Sequence, residues 1–274
     1  MLALYTPIDF SRYAMTSKLN YLTILYHDDF IIAIDKPPGL LVHRTMLAKQ
    51  ETEFAMQLLR DQLGQHVYPV HRLDRPTSGV LLFALSSEVA AKMTLKFTQR
   101  LIAKEYRAIV RGHIADHYSI DYPLVEIHDK YADARAKKNK PAQAAQSELH
   151  CNQRFCIPLP AGRYQSARFS LVDLKPITGR KHQLRRHMAH IRHPILGDTT
   201  HGDGKQNKFL RHHFNFASLA LTCTCMEFVH PVIETDIKIT APLHQNMLRL
   251  LNDWQPFRVK GDENLNTHKV ITAQ

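Results

Sequence analysis

The stretch His71-Arg72-Leu73-Asp74-Arg75-Pro76-Thr77-Ser78-Gly79 sets one acid among three potential cations, then turns through Pro-Thr-Ser-Gly into the apolar run Val80 to Ala84. Such a turn cluster followed by a short apolar run reads as a loop leading into a buried strand. Beyond the strand, Ser86-Ser87 supplies cap candidates, and Val89, Met93 and Phe97 recur four residues apart, so a helix is predicted from about Ser86 to Arg100. Tyr106 to Val110 returns to β character, which makes this region strand, helix, strand.

Working outward, Tyr21 to Tyr26, the polar His27-Asp28-Asp29 and Phe30 to Ile34 read as a hairpin, ended by Lys36-Pro37-Pro38-Gly39. Between Glu51 and Leu63, Phe54, Leu58 and Leu59 fall at helical spacing and Gly64 follows as a stop. Downstream, residues 129 to 146 are charged and poor in apolar residues (Arg135, Lys137, Lys138 and Lys140 among them) and are expected as an exposed excursion. Phe169 to Leu174 alternates like a strand, Lys181 to Arg192 carries Leu184, Met188 and Ile191 on one helical stripe, and Leu219 to Phe228 is again β-like. Strands and helices interleave without a dinucleotide fingerprint or a P-loop. The expected class is α+β with a mixed sheet.

The chain has 274 residues and is 44% hydrophobic, enough for a large core or two joined halves. Its 36 Lys+Arg against 25 Asp+Glu give a net charge of +11, which suits a polyanionic partner such as nucleic acid or an acidic membrane surface. Residues 1 to 20 carry Asp9, Arg12 and Lys18 among short apolar pieces, unlike a signal peptide or a membrane span, so the protein is expected in the cytoplasm with no membrane partner. Cys151, Cys156, Cys223 and Cys225 are too few for a disulfide framework and are expected to be reduced.

Asp74 is the candidate catalytic carboxylate. An arginine beside it favours the charged form that a nucleophile needs, whereas an ordinary surface ion pair is the competing explanation. A second constellation, Thr178-Gly179-Arg180-Lys181-His182-Gln183-Leu184-Arg185-Arg186-His187, reads either as a solvated basic helix face or as a functional surface. The apolar stripe anchors this helix on the core, so Arg185, next to Leu184, is expected at a buried margin where it needs a carboxylate, with Asp74 a candidate. His187, His190 and His193, with Cys223 and Cys225, raise a metal site. No paired zinc spacing supports it, and three-residue histidine spacing equally suits an RNA-facing helix. Phe209, Phe214 and Phe216 suit base stacking or core packing alike.

With these residues in view, the chain resembles the pseudouridine synthases, in particular the group that includes the large-subunit ribosomal RNA enzymes. Asp35 to His43 looks like the family's first motif, His71 to Asp74 with Thr77-Ser78-Gly79 the second, Lys104-Glu105-Tyr106-Arg107-Ala108 the tyrosine strand, and Thr178-Gly179-Arg180 with His182-Gln183-Leu184-Arg185 the third. His193-Pro194-Ile195-Leu196-Gly197-Asp198 and Phe228-Val229-His230-Pro231 also resemble family patterns, so similarity spans about Tyr21 to Pro231. Where the family usually has Leu-His-Ala, this chain has Leu221-Thr222-Cys223.

The resemblance implies a mixed, mainly antiparallel central sheet flanked by helices and loops, with an active-site cleft. It implies a catalytic domain over residues 21 to 258, between an N-terminal extension (1 to 20) and a C-terminal tail (259 to 274), without the family's additional RNA-binding domain. Asp74, Tyr106 and Arg185 would be catalytic: Asp74 starts glycosidic cleavage, Tyr106 packs on the base, and Arg185 pairs with Asp74. Arg72, His71, Arg75, Arg180, Lys181 and Arg186 would bind RNA, with Arg72 filling the gap left by an everted uridine. No cofactor, metal or obligatory protein partner is implied. The phrases His66 to His71, Asp121 to Glu126 and Arg180 to His187 look most like members acting on tRNA at uridine-65. Alternatives are a ribosomal RNA target, a non-catalytic RNA-binding protein, or a metal-dependent nuclease or hydrolase built on the histidines. An acid amid the cations would repel phosphate in a pure binder, which counts against that rival.

Overall fold

The computed structural model describes residues 21–43, 53–126, 141–162, 164–259 and 268–272. The expected extension at residues 1 to 20, the start of the helix at Glu51, and the cations Arg135, Lys137, Lys138 and Lys140 lie outside the described residues.

One open sheet organises the rest. The hairpin appears as β1 (Thr23–His27) and β2 (Ile31–Lys36), antiparallel to each other. Helix α1 (Ala55–Leu63) ends at Gly64, whose φ of 69° is the left-handed turn that a glycine adopts most readily. A two-residue strand β3 (Tyr68–Pro69) and the nonapeptide loop then lead into β4 (Ser78–Ala84), buried throughout. Helix α2 (Ser87–Thr98) starts where Ser86 Oγ accepts the Val89 N–H, the side-chain cap expected there. Strands β5 (Ala103–Arg111), β6 (His117–Asp121), β7 (Gln146–Ile157) and β8 (Ala167–Pro176) follow. Helices α3 (Gln183–His190) and α4 (Gly204–Phe214), strands β9 (Leu221–Val229) and β10 (Asp236–Thr240), helix α5 (Gln245–Trp254) with a short 3-10 turn after it (Gln255–Phe257), and strand β11 (His268–Thr272) complete the described elements.

The strand order is β1-β2-β4-β9-β5-β8-β7-β6-β11, with β10 on β9 and β3 on β4. All pairings are antiparallel except β4–β9 and β6–β11. The sheet is therefore mixed and mainly antiparallel, as expected. The strand-helix-strand reading needs one refinement: β4 and β5 are not neighbours, because β9 returns from far along the chain to lie between them.

The β4–β9 contact is short, pairing Ser78 with Thr222 and Gly79 with Cys223. Gly79 has φ 101°, and a Cβ there would stand 2.1 Å from the Cys223 carbonyl oxygen. Only glycine lets the two backbones approach so closely. This junction joins two hydrophobic clusters, one on β2, β4, α1 and α2, the other on β5, β7, β8, α3 and α5, and Tyr106 packs against both.

Three expectations change. Helix α3 is shorter than Lys181 to Arg192, because His182 (φ 55°) and Arg192 (φ 65°) are left-handed and cannot continue a helix. The excursion is not wholly exposed: Gln143 exchanges backbone hydrogen bonds with Leu124 (2.8 and 3.0 Å), Ala145 is buried, and Gln146 opens β7. In the expected tail, Val259 donates to the Arg154 carbonyl and residues 268–272 form β11 on β6. No helix among the described residues is long and apolar enough to cross a membrane.

Candidate active site

Asp74 is delivered by a loop braced from below. At the end of β2, Lys36 is wholly buried, and its Nζ donates to the carbonyls of Pro37 (2.9 Å), Leu40 (2.9 Å) and Arg75 (3.1 Å). One ammonium thus ties the Pro37–Leu40 turn to the residue after Asp74. Gly39 N–H adds a bond to the Arg75 carbonyl (2.8 Å), and Arg75 Nε returns one to the Gly39 carbonyl (2.9 Å). Burial pulls the Lys36 ammonium down to about 7, against the opposing pull of Asp74 and Asp35. Its burial is costly, and the three carbonyls are what keep it there. On the other side of the loop, His71 Nε2 accepts the Leu82 N–H (2.9 Å) and the ring stacks on Phe97. Burial, with Lys104 nearby, pushes His71 down to about 3, which keeps that nitrogen bare to accept.

Opposite stands the segment before α3, pinned by Gln183. Its side-chain carbonyl accepts from Thr178 Oγ1 (2.6 Å) and Arg180 N–H (3.0 Å), while its amide donates to the Gln146 carbonyl (2.8 Å) and Ser147 Oγ (3.0 Å). Each hydrogen-bonding position of this buried amide is filled, so residues 178–182 are clamped to β7. Two residues on from Gln183, Arg185 places Nη1 3.1 Å from Asp74 Oδ2. Its Nε and Nη2 form a fork on Asp198, at 2.7 and 2.8 Å. Asp198 Oδ1 also accepts the N–H groups of Thr200 and His201, each at 2.9 Å. Side-chain exposure runs 1% for Asp198, 4% for Arg185 and 21% for Asp74, so the open end of this chain of charges is Asp74. Burial alone would lower the Arg185 pKa, but Asp198 and Asp74 outweigh it and leave the guanidinium above its usual range.

Asp74 opens into a cavity of about 400 Å³ that Tyr106, Lys104, His182 and Arg185 also line. That volume falls in the size range of small-ligand pockets. Burial, then Cys223 and Asp74, hold the Tyr106 phenol well above its usual range, so the hydroxyl stays protonated; Cys223 is the residue paired with Tyr106 across β5 and β9. The Leu221-Thr222-Cys223 departure thus has a local account: Leu221 lines the cavity, Thr222 Oγ1 shares a 2.8 Å bond with Ser78 Oγ across the β4–β9 junction, and Cys223 meets Tyr106.

Of the residues singled out from the sequence, Asp74, Tyr106, Arg185, Arg72, His71, Arg180 and Lys181 line this one cavity. Arg75 and Arg186 do not: Arg75 Nε is spent on Gly39, and Arg186 Nη1 donates to the Val125 carbonyl (2.9 Å). The histidine triplet disperses. His187 bonds Ser147 and the Tyr122 carbonyl, His190 stacks on Tyr122, and His193 meets the Arg111 carbonyl. No cluster of three or more His, Cys, Asp or Glu among the described residues is arranged to hold a metal. Lys36, Lys104, His182 and Asp198 were not assigned roles from sequence, although all four sit inside stretches that carry the family resemblance.

Residues 30–190 match the family model described as RNA pseudouridylate synthase. The tRNA pseudouridine synthase C of Vibrio cholerae is 49% identical over 236 residues, covering 85% of this chain and 97% of that protein. The protein of the same name from Haemophilus influenzae is 50% identical over 233 residues, covering 85% and 98%. A solved structure, human RNA Pseudouridylate Synthase Domain Containing 1, superposes with a TM-score of 0.63 at 22% identity, covering 88% of this chain and 97% of that one, and shows the shared fold. The chain belongs to the RNA pseudouridylate synthase family. It is an RNA pseudouridine synthase, an isomerase that moves a uracil from its N1 to its C5 linkage.

Proposed function

We propose that this enzyme converts uridine-65 of tRNA to pseudouridine in the cytoplasm, with Asp74 as its catalytic nucleophile and residues 21 to 258, joined by strand β11 at the sheet edge, as its catalytic domain. The observation that carries the reading is the Asp74 carboxylate, open to a cavity of about 400 Å³ while Arg185 Nη1 stands 3.1 Å behind it. The names of the relatives from Vibrio cholerae and Haemophilus influenzae support tRNA as the substrate class. The phrases His66 to His71 and Arg180 to His187 support position 65 through their resemblance to tRNA-modifying members.

In this mechanism Asp74 initiates cleavage of the N1–C1′ bond. The detached uracil turns within the cavity and rejoins the sugar through C5, after which C5 loses its hydrogen as a proton and N1 gains one. No redox partner, phosphate donor or metal enters the balance. Arg185, locked by Asp198, keeps the carboxylate oriented and charged. Tyr106 packs against the base. Uridine-65 is stacked inside a folded arm, so it must be everted at a cost of a few kcal/mol. Arg72, exposed at the cavity, stacks into the vacated place with its planar guanidinium. Arg180 and Lys181 contact the neighbouring backbone, and the net charge of +11 supplies affinity that falls as salt rises.

Mapping pseudouridines in total RNA from cells lacking this protein tests the reading. Loss at position 65 of tRNA alone is expected. Loss confined to ribosomal RNA would overturn the substrate assignment and leave the family membership intact.

A further inference from the structure

The isomerisation leaves a proton to be removed. Once C5 is joined to C1′ it still carries its original hydrogen, and a carboxylate that accepts that proton inside the cavity must pass it to water before the next turnover. Two histidines outside the proposed catalytic set lie on the way out. His182 Nε2 is 3.8 Å from Asp74 Oδ1, and His182 Nδ1 is 2.9 Å from His201 Nε2. His182 lines the cavity, whereas His201 is not among its lining residues and is half-buried.

Both rings are placed by the network that places Arg185. His182 takes a left-handed backbone (φ 55°), which is strained for a non-glycine residue and persists only where the surroundings enforce it. The Gln183 clamp does so, holding Thr178 and Arg180 just before it. Asp198 Oδ1 fixes His201 through its backbone N–H. His182 faces Asp74, Arg185, His201 and Lys181; His201 faces Asp198, Arg185, Arg186 and Asp74. Burial is the largest influence on each. It outweighs the attraction of the carboxylates and takes His182 down to about 4 and His201 below its usual value. At neutral pH both rings are therefore uncharged, each with one N–H and one bare nitrogen, the form that can accept at one end while releasing at the other.

We propose that His182 and His201 form a proton relay that carries the C5 proton of the substrate from Asp74 to solvent. The inference rests on the assignment of Asp74 as the reacting carboxylate. Protonated Asp74 gives its O–H proton to the bare Nε2 of His182, the Nδ1 proton of His182 passes to Nε2 of His201, and His201 releases its Nδ1 proton to water. Asp74 is ionised again and both tautomers are reversed. The opposite transfer, one proton inward for N1, restores them, so no other reagent is needed. The 3.8 Å step is longer than a hydrogen bond, and a small ring rotation closes it; such bonds are commonly loose before substrate binds.

The test is steady-state pseudouridine formation by the full-length enzyme on a tRNA transcript, for His201→Ala and His201→Gln, with and without added imidazole. His201→Ala is expected to lower kcat by about 10- to 100-fold with KM nearly unchanged, and imidazole is expected to restore turnover in proportion to its neutral form. His201→Gln, which keeps a polar group beside His182 but cannot relay, is expected to be equally slow. Wild-type turnover by either variant, or a loss in folded His201→Ala that imidazole does not restore, would overturn the relay. Asp74→Asn run alongside separates the two ideas: if it is inactive while the His201 variants are normal, only the relay fails, and if it turns over normally, the assignment of Asp74 fails first.

Discussion

Replacing Asp198 by Asn removes one charge from the deepest part of the site without changing its shape. In the wild-type protein both Asp198 oxygens are committed, Oδ2 to Arg185 Nε and Oδ1 to Arg185 Nη2 and the N–H groups of Thr200 and His201. The asparagine oxygen can keep the Oδ1 set, but its NH₂ then faces Arg185 Nε where 2.7 Å now separates donor from acceptor. Two donors cannot share that distance, and a guanidinium only 4% exposed is left with Asp74 as its remaining charged partner. Breaking a buried pair from one side costs about 3–5 kcal/mol. For a chain of 274 residues, whose unfolding entropy is about 0.6 kcal/mol/K, that is a fall in Tm of roughly 5–9 °C.

The pH dependence has a defined sign. Burial pushes the Asp198 carboxyl up, but the bonds from Arg185, His201 and Thr200 outweigh it and hold the group below its usual range. A depressed carboxyl contributes stability above its unfolded pKa, about 3.9, and loses it as pH falls through the lower folded value. Differential scanning fluorimetry should therefore show the Asp198→Asn deficit from pH 5 to 8 and its narrowing below about 4. The double variant Asp198→Asn with Arg185→Met should be less destabilised than the sum of the single changes, by about 2 kcal/mol or more. A single variant whose Tm stays within about 2 °C of wild type, or strict additivity in the double variant, would refute the reasoning.

Gly79→Ala forces a Cβ to 2.1 Å from the Cys223 carbonyl at φ 101°, so the β4–β9 junction must open; a loss of at least about 3 kcal/mol is expected in urea unfolding, and a change under about 1 kcal/mol would contradict the close approach. Arg72→Ala, at an exposed position, should leave unfolding within about 0.5 kcal/mol of wild type while slowing single-turnover pseudouridine formation; an unchanged rate would remove its gap-filling role. Because burial and Cys223 keep the Tyr106 phenol protonated, the pH–rate profiles of wild type and Tyr106→Phe should show no difference in inflection between pH 7 and 10. An inflection in that range abolished by Tyr106→Phe would show the phenol ionising during turnover.

Much of the site is legible along the chain because its parts carry local chemistry. The loop His71 to Gly79 announces itself by an acid among cations and a Pro-Thr-Ser-Gly turn, and Arg185 by its place beside the core-facing Leu184. The partner of Arg185 is less visible. Asp198 lies 13 residues on, in a loop with no periodicity, and only the fold returns it to the guanidinium. The function of Gly79 is hidden for the same reason, since the backbone it must accommodate belongs to Cys223, far down the chain. Strand β7 alternates polar Glu148 and His150 with inward Leu149 and Cys151, a readable strand pattern that is interrupted at Gln153, where the pairing with β8 shifts register, before it resumes at Phe155. Helix α5 had a readable stripe in Met247, Leu250, Leu251 and Trp254, all buried. The boundaries of α3 could not be read from its apolar stripe, because the left-handed turns at His182 and Arg192 are imposed by tertiary bonds.

Tritium release from C5-labelled uridine in tRNA, measured for Asp74→Asn against wild type at matched RNA binding, tests the role of the carboxylate most directly. The amide keeps the shape of the side chain but lacks the nucleophilic charge. Retained binding with no tritium release and no pseudouridine is the expected result. Tritium release by the folded variant at the wild-type rate would contradict the assignment of Asp74 as the reacting group.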